Sequence, residues 1–174
     1  MVETAPYEEL ERIGDVELRK YPALRIATVR GVSENEAFGF LFRYISGRNR
    51  TRKKIAMTAP VISSETIAMT APVISDEVSL SFVMPAGYTI DDLPEPLDEE
   101  VKTEEIPARY LAVIRFRGTT DEASVEKMTR RLMDTLREQG IPITGTPFLM
   151  RYNPPFIPAI FRRNEVGVEI RIDR

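Results

Sequence analysis

The chain has 174 residues, 43% of them hydrophobic, with 24 Lys and Arg against 27 Asp and Glu and a net charge of −3. It is long enough for one domain or two fused half-domains and apolar enough to bury a sizeable core, and that composition excludes disorder. The absence of cysteine and histidine removes disulfides, thiolate nucleophiles, Ser-His-Asp chemistry and metal sites built on those ligands, while the small charge gives no global pull toward nucleic acid or an anionic membrane.

The opening residues Met1–Gly14 are polar and acidic and lack the basic start and apolar core of a signal peptide. No apolar run approaches the ~20 residues that span a bilayer. A cytoplasmic protein with no membrane span is expected. Val16–Gly31 reads as extended structure, with Leu18, Pro22, Leu24, Ile26 and Val29 interleaved with polar residues. Ser33-Glu-Asn-Glu36 is a capping box. The helix behind it is expected to run to about Ser46 and stop at Gly47. It carries two apolar stripes: Ala37, Phe40, Leu41 and Tyr44, then Phe38, Leu41, Phe42 and Ile45. One stripe is enough to dock a surface helix, so the second is either buried by another element or open to a ligand.

A basic run, Arg48-Asn-Arg-Thr-Arg-Lys-Lys54, leads into a nine-residue word, Ile55–Ser63, that recurs unchanged at Ile67–Ser75, twelve residues on. An even offset keeps side chains on the same face if both copies are strands. Pro60 and Pro72 imply an edge, a bulge or a strand start. The copies read as a duplicated edge segment or hairpin covering the core, or as a place where Met57 and Met69 line a ligand cavity. Ser79–Met84 is a further strand, followed by a turn at Pro85-Ala-Gly87 and an acidic connection over Asp91–Glu105.

The second half repeats the order of the first. Glu105–Gly118 contains the long extended run Arg109–Arg117, and Thr119-Thr-Asp-Glu122 is a second capping box. The next helix places Val125, Met128, Leu132 and Leu136 on one face and ends at Gly140. Two extended runs follow, Pro147–Tyr152 and Glu165–Ile172. The expected fold is therefore α+β: two βαββ repeats forming a distorted open barrel or sheet flanked by two helices. The whole chain, 1–174, is read as a single domain with pseudo-repeat halves at about 7–90 and 101–174.

Tyr44-Ile-Ser-Gly-Arg-Asn49 followed by Lys54-Ile-Ala-Met-Thr-Ala-Pro-Val61 resembles the SOUL heme-binding protein family. Glu17-Leu-Arg-Lys-Tyr-Pro22, Ser81–Pro85, Arg151-Tyr-Asn-Pro-Pro155 and Arg162-Arg-Asn-Glu-Val166 fit it too, so the resemblance runs from about residue 7 to residue 172. It implies a monomeric tetrapyrrole binder rather than a redox enzyme, and no catalytic residue is nominated. It also implies heme or another planar apolar molecule in a shallow apolar groove between the first helix and the loop after the Tyr-x-Pro-Pro motif. On this chain those positions are Phe38, Phe42, Arg43 and Ile45 on the helix, and Phe156, Ile157, Ile160 and Phe161 in the loop. Arg43, Arg48 or Arg163 could pair with propionates. No histidine or cysteine can ligate iron; Tyr44 or a methionine is the remaining candidate, and binding without a protein ligand fits better. A carrier or buffer role follows.

Two other readings stand beside this one. A small-molecule effector-binding or hydrolase domain related to gyrase-inhibitory proteins would use Glu165 or Glu169. It calls for a raised carboxylate pKa in a closed cavity, whereas pairing of Glu165 with Arg162 or Arg163 would make that residue structural. Nucleic-acid binding through the basic run is not expected, because no aromatics interleave with it.

Overall fold

The computed structural model describes residues 3–63, 79–154 and 156–172. In chain order the strands are β1 (Glu3–Thr4), β2 (Glu8–Ile13), β3 (Val16–Tyr21) and β4 (Leu24–Arg30), followed by α1 (Glu34–Ile45). Then come β5 (Thr58–Ser63), β6 (Ser79–Val83), β7 (Lys102–Ile106), β8 (Arg109–Arg117), α2 (Glu122–Glu138), β9 (Phe148–Arg151), a 3-10 turn (Ala159–Phe161) and β10 (Arg163–Ile170).

Each of the two long extended runs is split by a proline. Pro22-Ala23 separates β3 from β4 and Pro107-Ala108 separates β7 from β8, because proline has no N–H for the ladder. The two broken strands lie antiparallel, with Tyr21 opposite Arg109 and Leu24 opposite Ile106. β7 thus takes up the end of what the sequence marked as an acidic connection, and Leu93 and Val101 within that connection are buried.

The strands form one unclosed sheet in the order β2-β3-β8-β10-β9-β5-β6-β4-β7, with β1 added in parallel to β5. Exchanging β3, β4, β5 and β6 for β7, β8, β9 and β10 maps six of the seven pairings among these eight strands onto one another and the β5–β9 pairing onto itself. The two βαββ repeats expected from the order of elements are therefore present in the pairing as well. α1 packs on β4 and β6, and α2 on the equivalent β8 and β10.

Alternation along the strands divides the core. On β8, Ala112 and Ile114 pack with Leu132 and Leu136 of α2, while Leu111 and Val113 pack on the opposite face with Tyr21, Phe148 and Met150. A third cluster joins Ala37, Leu41, Tyr44 and Ile45 of α1 to Leu80 and Phe82 of β6. α1 starts as the capping box demands: Ser33 Oγ accepts from Glu36 N at 3.2 Å and donates to Glu36 Oε1 at 3.2 Å. It stops at Gly47, whose φ of +119° disfavours a side chain. α2 is capped by Asp121 rather than Thr119; the threonine hydroxyl instead donates to the Asp121 carboxylate at 2.6 Å.

The first copy of the repeated word is not an edge. β5 pairs with β6 on one side and β9 on the other. Pro60 is tolerated there because the register shifts between Thr58 and Val61, and the Ala59-Pro60 bond is cis. Met57 is half-buried against the α1 cluster, as a core filler. The second copy, residues 67–75, and Met69 lie outside the described residues. No helix among the described residues is long and apolar enough to cross a membrane.

Candidate functional site

The second apolar stripe of α1 divides in two. Ile45 is 6% exposed and belongs to the core, together with Leu41. Phe38 and Phe42 remain 42% and 53% exposed, although burial of each ring would favour folding by about 1.5–3 kcal/mol. Their rings stack with centroids 6.1 Å apart and planes 12° apart, and Phe38 meets Phe82 edge-on at 5.4 Å. The pair thus forms a partly exposed aromatic patch anchored on the core by one edge contact.

Three arginines were candidates to flank it. Arg48 is held by Asp98, with Nε 2.9 Å from both carboxylate oxygens, and Arg163 is held by Glu165 at 3.0 Å. Arg43 lies over the Phe40 ring at 4.9 Å and has no carboxylate partner among the described residues. Tyr44 is committed to the core. It is fully buried, its hydroxyl donates to Pro94 O at 2.7 Å, and burial pushes its pKa up to about 12.

The basic run next to α1 is organised by a residue the sequence reading passed over. Asn49 is fully buried; its amide donates to Tyr44 O and Lys53 O, and its carbonyl oxygen accepts from Lys53 N. With Arg48 on Asp98 and Arg50 on Glu95 at 3.0 Å, the run is tied down onto the acidic connection. Its asparagine stood in the family motif, but nothing in its spacing indicated a buried hub.

The loop after β9 holds the other sequence-derived positions. Phe156, Ile160 and Phe161 are 81%, 70% and 62% exposed, and Ile157 is half-buried. Arg162 Nε closes the loop on Ile157 O at 2.8 Å, and Asn153 Oδ1 accepts from Arg163 N at 2.6 Å. An ion pair between Arg151, at the end of β9, and Glu34, at the start of α1, ties the strand that feeds the loop to the helix that carries Phe38. No ring of the loop touches Phe38 or Phe42 among the described residues. The structure therefore stacks the two phenylalanines on each other, places Ile45 in the core, and leaves the loop exposed without a ring contact to the pair. Two concavities of about 400 and 390 Å³ lie elsewhere, beside Thr58 and Met84 and beside Gly140 and Arg171.

The opposite face of the sheet carries a buried charge cluster. Glu165 and Arg19 have no exposed side-chain surface and are joined by bonds of 2.9 and 2.6 Å. Glu165 also accepts from Tyr152 Oη at 2.5 Å, Arg163 at 3.0 Å and Arg115 at 3.3 Å. Arg19 reaches Glu17 through Nε at 2.8 Å and Tyr21 Oη at 3.0 Å, and its guanidinium lies 4.0 Å from the Tyr7 ring centroid. Burial alone would raise the Glu165 pKa, but the hydrogen bonds and charge of Arg19, with Tyr152 and Arg163, bring it down to about 2. Burial beside that carboxylate pushes the Tyr152 phenol up. Of the two arginines expected to pair with Glu165, Arg163 does and Arg162 goes to the loop carbonyl instead. Arg19 was not anticipated. Its only signal was that Glu17, Arg19 and Tyr21 fall on one face of a strand. Among the described residues Glu169 pairs with Arg109 at 3.8 Å.

Comparison with known proteins gives the family and the fold. The chain is 30% identical over 169 residues to human heme-binding protein 2, covering 93% of the chain and 81% of that protein. Among solved structures, the C-terminal domain of EcmrR superposes with a TM-score of 0.65 at 12% identity, over 96% of the chain and 99% of that domain. A hydrolase from Listeria innocua gives 0.60 at 12% identity, over 90% of the chain and 92% of its own. At such identities these two establish the shared fold alone. The sequence model of the SOUL heme-binding protein matches residues 2–169, and the chain belongs to the SOUL heme-binding protein family.

Proposed function

We propose that the protein binds heme or a related planar tetrapyrrole reversibly on the open face of α1, with the 156–161 loop as the opposing wall, and that it carries or buffers this ligand as a monomer rather than transforming it. One observation carries the reading: Phe38 and Phe42 stack on each other and stay about half exposed, with a single edge contact to the core, in a chain of a heme-binding family. Their rings suit the flat face of a macrocycle, and Arg43, one position beyond Phe42, suits a propionate. Bound heme would supply the macrocycle, its propionates and its iron. The residues of this face bind and orient, and none of them ligates the metal, since Tyr44 is committed to Pro94 and neither cysteine nor histidine is present. Metal-free protoporphyrin should therefore bind about as well as hemin.

The effector-binding or hydrolase reading has less support. Glu165 has no lone pair to spare for a substrate, and its pKa is shifted away from that of a general base. Nucleic-acid binding is disfavoured by the pairing of Arg48 and Arg50 with acidic residues. The test is titration with hemin followed at the Soret band. A saturable shift, weakened about tenfold or more by Phe42→Asp, is expected; the absence of saturation, or indifference to Phe42→Asp, overturns the proposal.

A further inference from the structure

We infer that the 156–161 loop and the arginines at its base form a docking surface for an anionic lipid bilayer. The reading above uses this loop as a wall; the present inference adds the loop's base and does not involve α1. Three of the loop's six residues are large hydrophobics more than 60% exposed: Phe156, Ile160 and Phe161. Apolar residues gathered on one tip, unlike scattered ones, mark an interaction surface. The tip also satisfies much of its own backbone. Ile157 N donates to Pro154 O at 3.1 Å, Phe161 N to Pro158 O at 2.9 Å, and Arg162 N to Ala159 O at 3.1 Å. These are groups that would otherwise resist leaving water.

The base of the loop is positive although the whole chain is not. Arg163 stands directly opposite Arg117 across the β10–β8 ladder, a like-charge juxtaposition that costs stability. Arg117 is exposed and has no carboxylate partner among the described residues. Arg115, two residues along the same strand and 45% exposed, shares the carboxylate of Glu165 with Arg163 and Arg19, of which Arg19 also pairs with Glu17. An apolar tip above a collar of guanidiniums matches an acyl layer beneath anionic headgroups. Charge complementarity therefore favours a lipid surface over a purely apolar partner.

The test is co-sedimentation with vesicles of phosphatidylcholine alone, or with about 30 mol% phosphatidylserine to supply an anionic surface. Binding to the phosphatidylserine vesicles is expected, with weak binding to phosphatidylcholine. Phe156→Ser with Phe161→Ser should reduce it about tenfold or more, and Arg117→Glu and added salt should each reduce it several-fold. Arg117→Glu should leave hemin titration in the absence of vesicles unchanged. Phe42→Asp should leave vesicle binding unchanged, so the two proposals fail separately. Absence of binding, equal binding to both vesicle types, or indifference to the loop and Arg117 variants overturns the inference. So does a dimer in sedimentation velocity that Phe161→Ser abolishes without any vesicle binding, since a second copy would then be the occupant.

Discussion

Replacing Glu165 by glutamine keeps the shape of the side chain and removes its charge. Arg19, with no exposed side-chain surface, then loses its ionic partner and one of the two bonds of 2.9 and 2.6 Å, because the amide keeps a single acceptor oxygen, and Glu17 is its remaining carboxylate. Breaking a buried pair from one side costs about 3–5 kcal/mol, a large part of the roughly 5–15 kcal/mol that holds a domain folded. The pH dependence is a second signature. The Glu165 pKa falls from 4.5 to about 2 on folding, and at 1.36 kcal/mol per unit this is worth ~3 kcal/mol. A carboxylate whose pKa is depressed on folding gives its full contribution above its unfolded value. The contribution is lost as pH falls from about 4.5 toward about 2. Urea unfolding of both proteins at neutral pH and at steps down to about pH 2 should therefore show the variant far less stable at neutrality and the gap closing with acid. Because other carboxylates titrate in both proteins, the difference between the two curves is the quantity to read. An equal midpoint at neutral pH, or a gap that does not change with pH, refutes the electrostatic account of the cluster.

Other outcomes follow from individual contacts. Asn49→Ala strips donors from Tyr44 O and Lys53 O and should cost about 1–3 kcal/mol in denaturant unfolding. Leu132→Ala opens a cavity under α2, where Leu132 is fully buried, and should cost about 2–5 kcal/mol with hemin affinity unchanged. Tyr44→Phe removes the bond to Pro94 O and should cost about 1 kcal/mol while leaving the Soret position of bound hemin where it was; a moved band would reinstate tyrosine ligation.

Elements set by local chemistry were legible in the sequence. Ser33 and Glu36 mark the start of α1 and Gly47 its end, and the order of strands and helices marks the duplication. Features that depend on distant partners were not. The proline of β5 reads as an edge, a bulge or a strand start; the structure has the register shift, and β9, far along the chain, covers the second side. Glu17 and Arg19 read only as polar residues interleaved in an extended run, because the carboxylate that Arg19 pairs with lies 146 residues beyond it. The stretches that identify the family, around Glu17–Tyr21, Tyr152 and Glu165, converge on this cluster, so they report the fold more directly than the ligand. The stripes on α1 were visible, but periodicity alone could not assign Ile45 to the core and Phe42 to the surface.

The central claim is that the open face of α1 holds the ligand without a bond to iron. It is tested most directly by titrating isotope-labelled protein with metal-free protoporphyrin and following backbone amide shifts. Saturable shifts concentrated at Phe38–Arg43 and in the 156–161 loop are expected. Shifts centred instead on the concavity beside Thr58 and Met84, or binding seen with hemin alone, would contradict it.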